Sequence, residues 1–245
     1  MFALLAFFTF VFLLVVLLDR LVTQQMLLLF WLLTRDDRLT YLLYALLLLP
    51  GTLVHEGSHW LAARLLGVPV SRPSLRPRLQ GSRVVLGHVI TAPTDPLRQS
   101  AIGAAPLVVG VTLVVLVARY VFGVEGPEAL LPGGRSLREL VAQLAAVTRV
   151  EDAWIWLYLL FSVSHMMLPS ESDRAAWPAF LVLLGAVGLA VVLLFGVPAV
   201  PGPVVALLNA LLWALLFAFL VTIALDVPLF VACWALNRLL MGRRG

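Results

Sequence analysis

Long apolar runs separated by short polar breaks organise this chain from end to end. Phe2 to Leu18 is uninterrupted, and the apolar character resumes past Asp19 and Arg20 towards Leu33. Arg35-Asp36-Asp37-Arg38 forms a polar turn before a second run from Leu39 to Leu66. Further runs cover Ala101 to Val124, Ala153 to Leu168, Trp177 to Val200 and Val204 to Leu225, after which Asp226 and Pro228 interrupt an apolar stretch ending near Leu240. A run of about 20 apolar residues spans the hydrocarbon as a helix. The pattern therefore predicts an all-α polytopic membrane protein with about six transmembrane helices. It reads as a single membrane domain over residues 1–245, divided into an N-terminal helix (1–38), a central core (39–176) and C-terminal helices (177–245).

Two polar stretches carry structure of their own. Between Gly67 and Ser100, Gly81-Ser82 separates Arg78-Leu79-Gln80 from Arg83-Val84-Val85-Leu86, which predicts a small membrane-associated β-hairpin between the second and third helices. Pro77 confines its first strand to an edge or a strand start. Ser136-Leu137-Arg138-Glu139 fits a capping box, and Leu137, Leu140, Val141, Leu144 and Val147 share one helical face, as in a short helix lying on the membrane surface.

Composition agrees with the pattern. Hydrophobic residues make up 62% and charged residues 12% of the chain, with a mean hydropathy of +1.04. A soluble domain carries about 25% charged residues, so the partner of this surface is the lipid bilayer. The net charge of +4 does not indicate nucleic acid, because the arginines sit at span ends. Phe2 to Leu18 has no basic region before it and no small-residue cleavage site after it, unlike a signal peptide. Cys233 is the one cysteine, which excludes an intramolecular disulfide.

Chemistry enters at the end of the second run. In His55-Glu56-Gly57-Ser58-His59 the histidines lie at i and i+4, one turn apart on one helical face. Imidazoles so placed can share one Zn²⁺ ion, with the intervening Glu56 as general base towards water. Polar and ionisable groups within a span are costly and mark function by default. A catalytic site of this kind needs a third protein ligand. Asp173 is the leading candidate, in Leu168-Pro169-Ser170-Glu171-Ser172-Asp173 after the fourth span. Counting crossings returns it to the side where the second span ends. Glu171 and His165 are its rivals. His88 reads as an incidental loop residue.

These residues resemble the site-2 protease family of intramembrane zinc metalloproteases. His55 through Gly67 is similar to the family's HExxH helix, Ala104-Ala105-Pro106-Leu107 to its Ala-Gly-Pro-Leu element, and Pro169 through Asp173 to the motif whose aspartate is the third zinc ligand. The resemblance covers roughly residues 41–176 and makes 39–176 a metalloprotease core of three spans. It departs where the family carries asparagines and a glycine: Val109, Met166 and Arg174 stand in those neighbourhoods. The resemblance implies a zinc-dependent intramembrane endopeptidase with His55, His59 and Asp173 on the metal, Glu56 catalytic, and a transmembrane protein as substrate. The departures leave two alternatives: an inactive pseudoprotease that binds membrane helices, or a membrane zincin of another family with a glutamate ligand.

The chain has no lysine, so arginine alone orients it. Seven arginines (64, 72, 76, 78, 83, 98 and 174) fall on the side of the Gly67–Ser100 loop, against five (35, 38, 135, 138 and 149) opposite. The positive-inside rule then predicts a cell-membrane protein with the zinc site near the cytoplasmic face.

Overall fold

Helices follow the apolar runs, with ends set by capping groups and proline. The computed structural model describes residues 2–75, 77–80, 83–124, 147, 149–196 and 201–242. Helix α1 covers Phe2–Thr34 without a break at Asp19. Asp36 accepts from the backbone N–H groups of Arg38 (2.7 Å) and Leu39 (3.1 Å) and so starts α2, Asp37–Leu47. Helix α3 is Leu49–Leu65. After a loop containing strands β1 (Arg78–Gln80) and β2 (Arg83–Val85) comes α4, Pro96–Tyr120. Helices α5 (Ala153–Met166), α6 (Trp177–Phe195) and α7 (Gly202–Gly242) complete the order.

Four of these helices are long and apolar enough to cross a membrane, or five if α2 and α3 count as one bent span. This is compatible with an integral membrane protein, but the expected six spans are not all supported. Two differences account for the shortfall, and a third leaves the count unchanged. The second run is not one straight helix: α2 and α3 meet at 69°, where Pro50 lacks the N–H that would continue the ladder. Helix α5 has 14 residues, about 21 Å at 1.5 Å per residue, less than the roughly 30 Å hydrocarbon. The C-terminal run is not interrupted either: α7 is one 41-residue helix through Asp226 and Pro228, since neighbouring helices can accommodate the one backbone bond that proline removes.

Helix α4 also begins earlier than its apolar run, because Asp95 caps it and Pro96 fits its first turn. The pairing between α3 and α4 is a local ribbon in an otherwise helical chain, short of the expected membrane-associated hairpin. Its strands have three residues each, paired antiparallel with Arg78 opposite Val85 and Gln80 opposite Arg83. Isolated bridges between Val70 and Thr91 and between Ser74 and His88 extend the pairing towards the ribbon's base. The Gly81-Ser82 turn and the surface helix expected after Ser136 lie outside the described residues.

Helices α1 and α7 pack along each other, α3 lies against α4 and α5, and α4 and α5 both reach α7. Val15, Val114, Leu216 and Phe219 are almost fully excluded at the centre, with Phe8 and Phe12 each 5.8 Å from the Phe219 ring. Asn237 on α7 donates to the Gln25 carbonyl (2.9 Å) and side-chain oxygen (3.0 Å) on α1. Polarity is inverted relative to a soluble protein. Thr52, His55, Glu56, His59, Ser162, Thr222 and Asp226 are buried, while Val182, Leu193 and Leu194 of α6 are exposed. Such a surface is satisfied by lipid, and its polar interior marks where to look for function.

Candidate metal centre

The bend at Leu48 places the motif helix α3 across α5 and α4. Close to the bend, the Gly51 N–H donates to Ser162 Oγ of α5 at 2.8 Å. One turn on, His55 Nδ1 lies 2.6 Å from the carbonyl of Met166, at the end of α5. A further turn along, His59 Nδ1 lies 2.9 Å from the Ile102 carbonyl of α4. Both ring faces thus project from α3 into the corner between two other helices.

Asp173 reaches the same corner from the turn after α5. Its Oδ1 is 3.1 Å from His59 Nε2 and its Oδ2 is 3.5 Å from His55 Nε2. The two Nε2 atoms are 3.2 Å apart. Asp173 is held locally by Ser170, whose N–H donates to Oδ2 at 2.7 Å and whose hydroxyl accepts from the Asp173 N–H at 3.3 Å. Gly103 makes room for this turn. A side chain there would collide with the Asp173 backbone carbonyl, so α4 can approach only because position 103 has no Cβ.

The hydrogen bonds assign the tautomers. A backbone carbonyl only accepts, so Nδ1 of each histidine carries a proton. In neutral imidazoles both Nε2 atoms are then lone pairs, facing one another and a carboxylate. Three acceptors converging at these distances repel unless a cation lies between them. The separations also fit: ligands about 2.0–2.1 Å from a tetrahedral ion are about 3.3 Å from one another, against the 3.1, 3.2 and 3.5 Å found here. The carbonyls behind each ring are the orienting partners that metal-binding histidines use. His55, His59 and Asp173 can therefore hold a metal ion.

The rivals are placed elsewhere. Glu171 is exposed on the turn, outside the group of converging ligand atoms. His165 is buried with its ring towards Asp19, Thr23 and Tyr44. Glu56 is buried beside the metal group and lines the same cleft. The ribbon covers it: a Cβ on Gly87 would stand 2.8 Å from Glu56 Cγ and 3.1 Å from its Oε1. His88, expected to be incidental, pairs its backbone with Ser74 and lines the same cleft. That cleft, of about 790 Å³, is bordered by the metal group, Glu56, residues 85–89 of the ribbon and the 170–173 turn.

Sequence reasoning missed Gly87 and Gly103, whose significance lies in distant neighbours. It also missed Asp19 and Asp226, which it took for breaks in apolar runs. Both interrupt otherwise uncharged stretches, and that was the available signal. Comparison with protein-family models, curated proteins and solved structures gives no match.

Proposed function

We propose that this chain is a zinc-dependent intramembrane endopeptidase that hydrolyses peptide bonds within or near transmembrane segments of other membrane proteins. The convergence of His55 Nε2, His59 Nε2 and an Asp173 carboxylate, all acceptors, beside Glu56 in an apolar helical bundle carries this reading. Nitrogen and carboxylate ligands of this number suit Zn²⁺ with a coordination position left open. It is also the arrangement that the resemblance to site-2 proteases implies.

When bound, zinc supplies a Lewis acid that activates water and polarises the scissile carbonyl. Glu56 takes the proton of the attacking water and delivers it to the departing amine nitrogen. The Met166 and Ile102 carbonyls keep both imidazoles in the tautomer that ligation needs. Gly87 and its neighbours lie over Glu56, so an unwound substrate segment in the cleft would run beside residues 85–89, where it can add as a strand. A helical peptide bond is hydrogen-bonded and shielded, which makes such unwinding a requirement.

The test is the Glu56→Gln variant, assayed on a membrane-embedded substrate. It should keep its metal and lose cleavage by about 10²–10⁴-fold, the usual share of general acid–base catalysis. Cleavage at the unsubstituted rate removes Glu56 as the base. Absence of cleavage by the unsubstituted chain across a panel of helical substrates favours the pseudoprotease, the reading suggested by Val109, Met166 and Arg174.

The arginine excess supports an orientation with the cleft near the cytoplasmic face of the cell membrane. A cysteine introduced at Ser82 should resist an impermeant thiol reagent in intact cells, while one at Gly134 reacts. The reverse pattern would invert the orientation.

A further inference from the structure

The cleft continues past the metal group to a second polar cluster that the proposed chemistry does not use. Asp19 and Thr23 of α1, Tyr44 of α2 and His165 of α5 line that end. His165 Nδ1 is 3.2 Å from Asp19 Oδ1, and its Nε2 is 3.0 Å from Thr23 Oγ1 and 3.4 Å from the Tyr44 hydroxyl. Hydroxyls can donate to Nε2, which leaves the ring proton on Nδ1, facing Asp19. One Asp19 oxygen thus lies against the imidazole, at 3.2 Å and without a hydrogen bond to it. The His165 side chain is 2% exposed, but that of Asp19 is 30% exposed, which leaves the carboxylate open to the cleft.

A second acid lies in the bundle interior. Asp226 of α7 is fully buried, and neither of its carboxylate oxygens has a hydrogen-bond partner among the described residues. Arg20 also interacts with Asp19 electrostatically, yet its residue is exposed on the bundle surface. Among the described residues, Asp19, His165 and Asp226 do not bring three ligand atoms together as the metal group does, so a second metal ion does not suit this end.

We infer that this end of the cleft is a recognition subsite for a basic side chain, lysine or arginine, carried within the apolar segment of a transmembrane substrate. A carboxylate halfway along a membrane-crossing helix is costly without a partner, and charged residues in spans pair with one another inside the bundle. Asp19 offers an open oxygen, and the Thr23 and Tyr44 hydroxyls can accept further N–H groups. A basic residue in a substrate helix carries the same cost in lipid and loses it on entering the cleft. Position links recognition to hydrolysis: His165 directly precedes Met166, whose carbonyl holds His55. The inference rests on the reading of the cleft as the seat of a transmembrane substrate.

The experiment uses the full chain carrying Glu56→Gln in phosphatidylcholine vesicles, so that nothing is cut. Three transmembrane peptides of leucine and alanine, differing only in a central Lys, Leu or Glu, are titrated by energy transfer. The Lys peptide should bind at least about tenfold tighter than the Leu peptide, as for a charge-assisted hydrogen bond, and the Glu peptide weakest. Adding Asp19→Asn should bring the Lys-to-Leu ratio to about one, and Asp19→Glu should restore a preference. A flat ranking, or a lysine preference that survives Asp19→Asn, overturns the subsite. The ranking of the three peptides needs no substitution at Asp19, so misfolding of that variant leaves the test intact. Lysine-selective binding without cleavage by the chain bearing native Glu56 would remove the protease and keep the subsite. Cleavage of all three peptides with a flat ranking would do the reverse.

Discussion

The bundle holds two histidine–carboxylate pairs of nearly equal length, His59–Asp173 at 3.1 Å and His165–Asp19 at 3.2 Å. Their second ring nitrogens separate them. His59, like His55, commits Nδ1 to a backbone carbonyl, so the nitrogens facing the cleft are acceptors that converge on a carboxylate. His165 turns Nε2 towards two hydroxyls, while its Nδ1 lies 3.2 Å from Asp19 without a hydrogen bond. A buried histidine near a carboxylate is thus not by itself a ligand. What marks the metal group is a surplus of acceptors that protein donors do not fill.

The largest test of that contrast is removal of the rings. His55→Ala and His59→Ala should each lose most bound metal, whereas His165→Ala should retain it, as read by elemental analysis of purified protein. Equal loss in all three would collapse the distinction. A smaller effect is expected where no ligand is touched. Gly103→Val pushes against the Asp173 backbone carbonyl and should weaken metal binding by about 10–100-fold in chelator competition, the range for changes in supporting groups. Unchanged affinity would mean that the turn adjusts freely. The smallest effect belongs to a buried polar contact outside both clusters. Asn237→Leu removes the bonds to Gln25 and should lower the stability of the bundle in detergent by about 1 kcal/mol or less, with metal content unchanged. Loss of metal in that variant would show that α7 positions the site.

Local chemistry was legible in the sequence, and distant contact was not. The His55-Glu56-Gly57-Ser58-His59 spacing places two imidazoles on one helical face whatever surrounds the helix. Asp173 was legible only through counting crossings and through the family resemblance, since 114 positions separate it from His59 (173 − 59). The 69° bend was hidden because Leu39 to Leu66 is continuously apolar, although Pro50 stands at the break. Asp226 and Pro228 misled in the opposite direction: they read as an interruption, yet α7 passes through both because its bonding is completed within the bundle. Gly87 and Gly103 gave no sign, because an empty Cβ position gains meaning only from the group that fills it.

Metal analysis of the purified chain beside its Asp173→Ala and Glu171→Ala variants tests the central claim most directly. The account predicts about one zinc per unsubstituted chain, as a three-ligand catalytic site requires, marked loss in Asp173→Ala and full retention in Glu171→Ala. A chain that binds no zinc, or that keeps it without Asp173 and loses it without Glu171, would contradict the account.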